Sequence, residues 1–124
     1  MTVTAHLKDA VDALVGDRVY RDEAPEFPDG GPTLPFITIQ PDLSRSAGLS
    51  GDGRTVATSE LFQVDLWQAQ DAEDDNLIGA VIDALDSVQL PAPHVRARVN
   101  STVRLVEPGG IIHYAVTVRT VSIA

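Results

Sequence analysis

Glu60-Leu61-Phe62-Gln63-Val64-Asp65-Leu66-Trp67 decides the fold. Phe62, Val64 and Leu66 take one parity and Gln63, Asp65 and Trp67 the other, the period of two that marks a half-buried strand. The period changes directly afterwards. Asp71-Ala72-Glu73-Asp74-Asp75 opens a helix whose apolar face is Leu77, Ile78, Val81, Ile82, Leu85 and Val88. Acids in a first turn suit the positive end of the helix dipole. Asp75, Asp83 and Asp86 lie off the apolar face, and Pro91 and Pro93 stop the helix.

Working outward, Leu7, Ala10, Val11 and Leu14 form the stripe of a first helix, with Thr2 or Thr4 to cap it and Gly16 to end it. A short strand follows around Arg18–Arg21, and Pro35-Phe36-Ile37-Thr38-Ile39-Gln40 is a second, closed by Pro41. Residues 22–35 carry four prolines and two glycines and are expected to be a surface loop. Residues 42–58 are rich in Ser and Gly. They are expected to be a mobile connection that orders only in an assembly.

Two long strands finish the chain around the turn Glu107-Pro108-Gly109-Gly110. In the first, Val95, Ala97, Val99, Val103 and Leu105 share one parity, and Arg96, Arg98 and Arg104 share the other; Arg119 lies on the polar side of the second. About 13 residues per strand span ~43 Å, more than the ~35 Å diameter of a compact domain this long. The hairpin must bend, break at a bulge or project. The predicted fold is α+β over a single domain, 1–124: a mostly antiparallel four- to five-stranded sheet, two helices packed on one face, and a long C-terminal hairpin.

Composition narrows the function classes. The 124 residues contain no cysteine, which excludes disulfides, a thiol nucleophile and Cys-based metal sites. Eighteen acidic against nine basic residues give a net charge of −9, unlike a nucleic-acid backbone binder. Residues 1–93 carry −12 and residues 94–124 carry +3, an asymmetry that speaks of partners. No apolar run approaches the ~20 residues of a membrane span, and no signal peptide is visible at the start. A soluble intracellular domain is the expectation.

No motif signals catalysis. His6, His94 and His113 are not at metal spacing and are expected to be surface or half-buried polar residues. Asp71-x-Glu73-x-Asp75 imitates a calcium loop, but Asn76 and Ile82 stand where Gly and Glu are required. The glycines at 48, 51 and 53 match neither phosphate-binding pattern. No catalytic residue, cofactor or metal is therefore expected. Trp67, the sole tryptophan, is either a sheet-end cover or an interface anchor.

With these elements placed, the chain resembles the tail-terminator (tail-completion) proteins of long-tailed phages and prophages. The resemblance is carried by Ala13-Leu14-Val15-Gly16-Asp17-Arg18-Val19-Tyr20, the proline-bearing loop with Leu34-Pro35-Phe36-Ile37-Thr38-Ile39, Gly51-Asp52-Gly53-Arg54, Phe62–Trp67, and Glu107–Gly110 followed by His113-Tyr114. It implies a non-enzymatic virion protein that assembles with itself as a six-fold ring. Such a ring caps the tail-tube protein, halts tube growth and meets the head connector. DNA passes through it without specific binding. The host cytoplasm is implied as the place of assembly. A head-side connector or stopper ring, and a small ligand-binding α+β domain, are the alternatives. The interface residues expected are Arg96, Arg98, Arg104 and Arg119 against Asp75, Asp83 and Asp86, with Trp67.

Overall fold

In a computed structural model, residues 2–21, 33–49, 51, 55–95 and 97–123 are described. Helix α1 spans Val3–Val11, and the Thr2 hydroxyl caps it by accepting from the Ala5 amide at 3.1 Å. Leu7 and Val11 bury its inner face, and a 3-10 turn over Asp12–Val15 adds Val15. Gly16 then takes φ 58°, a left-handed value that glycine adopts without steric cost. A Cβ there would also lie 3.0 Å from Arg18 Nη1, whose Nε is engaged 2.9 Å from the Pro35 carbonyl. This turn delivers the chain into the short strand β1, Val19–Arg21.

Strand β2 is Phe36–Leu49, β3 Thr55–Ala69, β4 Arg98–Glu107 and β5 Ile111–Ile123. They form one sheet in the order β1-β2-β3-β5-β4, with only the β1–β2 pair parallel. Helix α2, Asp75–Asp86, joins α1 on one face. Between the layers lie Leu7, Val11, Val15, Ile78, Val81 and Leu85 from the helical side, and Ile37, Ile39, Val64, Leu66, Ile112, Val116 and Val118 from the sheet. The α+β expectation holds, with five strands and both helices on one face.

Three sequence expectations need correction. Residues 42–58 are largely strand: Ser44 through Gly48 pair with Leu61 through Ala57, and Leu49 with Thr55. The small polar residues there carry no hydrophobic period in the sequence, and backbone pairing to β3 makes the strand. Helix α2 opens later than Asp71. Gln70–Ala72 is a 3-10 turn, and the cap is Asp74, which accepts from the Asn76 and Leu77 amides at 2.9 and 3.3 Å. The Gln68 side-chain carbonyl holds Asp74 by accepting its amide at 2.8 Å. Finally, β4 does not keep one parity. Val99 pairs with Val118 and Ser101 with Thr117, leaving Asn100 as a bulge that turns every later side chain to the opposite face. The proline-bearing stretch 22–32 and Arg96 lie outside the described residues.

The bulge turns Arg104 toward the helices. Its guanidinium grips Glu73 with two bonds, Nε to Oε2 at 2.9 Å and Nη2 to Oε1 at 2.7 Å, and the Tyr114 hydroxyl donates to Glu73 as well. The bond from Arg104, then that from Tyr114, hold the Glu73 carboxyl well below its ordinary 4.5, at about 2. Burial and the bond to Glu73 push the Tyr114 hydroxyl up. Asp86 makes the second tie to β4, its Oδ1 accepting from the Val99 amide at 2.9 Å.

Two outcomes follow from these contacts. Gly16→Val destabilises the chain by about 1–3 kcal/mol through the left-handed strain, whereas Gly16→Asn is better tolerated; urea unfolding reads both. Because Glu73 is depressed on folding, its contribution is complete above about pH 4.5 and is lost as pH falls through about 2. Glu73→Gln abolishes that part of the acid destabilisation, so wild type and variant converge in thermal midpoint as pH drops from 5 to 2.

Candidate interaction surface

The far face of the sheet, opposite the helices, carries residues at alternate positions, and register brings them into rungs. Phe36 pairs with Trp67, Trp67 with His113, and His113 with Leu105. Rings stack along this rung. Phe36 and Trp67 centroids are 5.9 Å apart at 14°, and Trp67 and His113 are 3.9 Å apart at 7°. Tyr20 meets Phe36 edge-on at 6.0 Å. Trp67 Nε1 donates to Thr38 Oγ1 at 3.1 Å, so the half-buried tryptophan is anchored by both packing and a hydrogen bond.

His113 is buried, with Nε2 2.8 Å from Asp65 Oδ1 and Nδ1 3.3 Å from Glu107 Oε1. The Gln63 side-chain amide donates to both Asp65 oxygens at 2.8 and 3.0 Å. The network satisfies a buried carboxylate and fixes the imidazole under the tryptophan. The sequence marks His113 only as a surface or half-buried polar residue and gives no sign of this constellation. Asp65 and His113 stand 48 positions apart, and only the β3–β5 register reveals that they are neighbours.

The candidate arginines separate. Arg98 and Arg119 are directly opposite each other and exposed on the far face. Arg119 Nε donates to Ser59 Oγ at 2.8 Å, and neither arginine has a carboxylate partner among the described residues. Arg104 is on the helix side, engaged with Glu73. Of the three acids, Asp86 is committed to β4, while Asp75 and Asp83 are exposed on α2. Of the candidate residues, Arg98 and Arg119 thus stand on one side of the sheet and Asp75 and Asp83 on the other.

Among the described residues no cluster of His, Asp or Glu is suited to hold a metal ion, and no helix is long and apolar enough to cross a membrane. An open cleft of about 550 Å³ lies at one end of the sheet, lined by Leu34, Ala69, Gln70, Asp71, Ile111 and the Gly109–Gly110 turn. It brings no His113-like network into its wall.

The same fold occurs in a chain of the virion of a native gene transfer agent (GTA) particle. The TM-score is 0.65 at 14% identity, over 98% of this chain and 95% of that one. No curated protein matches the sequence. The family model described as tail completion protein gp17 matches residues 1–122. The chain therefore belongs to the tail completion protein gp17 family, a family of structural phage tail proteins and not of enzymes.

Proposed function

We propose that this tail protein acts as a terminator ring, a head-to-tail assembly of identical subunits, at the head-proximal end of the tail tube of a long-tailed phage. There it stops tube growth and joins the tube to the head connector, after assembly in the host cytoplasm. Six copies are the number that the family resemblance implies. The observation that carries the reading is the opposed placement of Arg98 and Arg119 on the far face and Asp75 and Asp83 on α2. A ring lodged between two different neighbours needs two different faces on each subunit, here one cationic and one acidic.

Two like charges directly opposite on a sheet repel, so Arg98 and Arg119 are the cations with most to gain from an incoming carboxylate. Guanidinium–carboxylate pairs are bidentate and set orientation as well as affinity. Arg104, already gripped by Glu73, positions β4 instead. Trp67, six positions along β3 from the residue that pairs with Arg119, braces the far face nearer the hairpin turn. The net charge of −9 suits a channel that lets DNA pass without sticking.

The double variant Arg98→Glu, Arg119→Glu tests this. Its circular dichroism matches wild type, because neither side chain supports the core. Truncating a buried interfacial charge pair costs about 2–5 kcal/mol, so joined, infectious particles fall by more than ~10-fold in a head–tail joining assay. A folded double variant that joins heads and tails at the wild-type level contradicts the reading.

A further inference from the structure

Strand β4 is left in an unusual state by the fold. It forms one edge of the sheet, and Asn100 through Val106 are exposed on both faces. Val103 is 51% exposed, Leu105 41% and Val106 59%. Natural edge strands are guarded by lysine, proline, a bulge or short length, and the bulge here, at Asn100, precedes the exposed residues 101–106. The strand has neither lysine nor proline between Arg98 and Glu107, and Arg104, the charge nearest its middle, is drawn back onto Glu73. Among the described residues no strand pairs with its outer side, and six residues from Ser101 to Val106 offer about 20 Å of backbone edge.

The opposite edge of the same sheet is β1, and the register relates the two. Tyr20 pairs with Thr38, Thr38 with Asp65, Asp65 with Ala115, and Ala115 with Val103. One rung therefore runs level from Tyr20 on the first edge to Val103 on the last. Strand sense alternates from β2 through β3 and β5 to β4, and β1 follows β2, so β1 and β4 run in opposite directions. A neighbour displaced sideways, without slipping along the strands, brings its β1 antiparallel to β4, the sturdier pairing. Tyr20 and Val103 both point to the far face, so the apolar Val103 and Leu105 meet the partner's aromatic row.

We propose that β4 of one copy pairs edge to edge with β1 of a second copy, Val103 beside Tyr20, so that the sheet continues from subunit to subunit. The proposal rests on the ring reading and specifies its backbone contact. Head-to-tail addition through two different edges is the geometry that closes a ring, whereas β4 pairing with β4 gives a two-fold dimer and stops.

The chain has no cysteine, so Tyr20→Cys with Val103→Cys places a single reporter pair. Directly opposite Cβ atoms across a strand pair lie within ~5.5 Å, near disulfide reach. In oxidised, assembled tails the double variant forms a ladder of covalent oligomers ending at the closed ring, and neither single variant does. Dimers from Val103→Cys alone overturn the proposal in favour of β4–β4 pairing. Several copies per tail with no double-variant ladder overturn the edge contact and leave the ring standing. One copy per tail defeats both. Amide exchange of wild-type protein supplies the second measurement should the variant fail to assemble: residues 102–104, which face the three residues of β1, exchange more slowly in tails than in the free chain. Equal rates overturn the pairing.

Discussion

One extra residue in β4 governs what this chain shows to its surroundings. The bulge at Asn100 reverses the strand's faces midway. Before it, Ala97 and Val99 pack toward the helices while Arg98 stands on the far face beside Arg119. After it, Arg104 turns to the helix side and Val103 and Leu105 turn outward. An unbulged strand would gather the arginines on one face and bury the valines and leucine on the other. The bulge instead ties the edge strand to the helical layer through Glu73 and leaves its apolar residues facing outward.

The same constraint gives the subunit its polarity. The tie through Glu73 and the Asp86 bond to Val99 attach β4 to α2 from one side only. The other side is stiffened by the stacked rung of Phe36, Trp67 and His113, with Asp65 satisfied beneath it. Acidic α2 and the arginine pair consequently occupy opposite surfaces held by one rigid sheet. A tail completion protein of the gp17 family has to present different faces to different neighbours, and this arrangement supplies them without any catalytic group.

Much of the layered fold was legible in the sequence because periodic burial writes it there. The stripes of α1 and α2, the Thr2 cap, the Gly16 stop and the alternation of Phe62–Trp67 all reflect one face meeting a core. The Ser- and Gly-rich arm of β2 was not legible, since its strand state comes from backbone pairing to β3 rather than from burial. The length argument for the final hairpin required a bend, break or projection, and the break falls at Asn100, a position that no local signal marks. The site residues divide on the same principle. Parity alone puts Arg98, Arg104 and Arg119 on the polar sides of their strands, which holds for Arg98 and Arg119; Arg104–Glu73 and His113–Asp65 join positions 31 and 48 apart, which only strand register brings together.

The account turns on this chain working as a multi-copy ring at the upper end of the tail tube. An electron cryomicroscopy reconstruction of the neck of tails carrying this protein tests that most directly. The account predicts one closed layer of identical subunits between tube and connector, each contacting its neighbour through two different surfaces. A single copy, or copies separated from one another by other proteins, would contradict it.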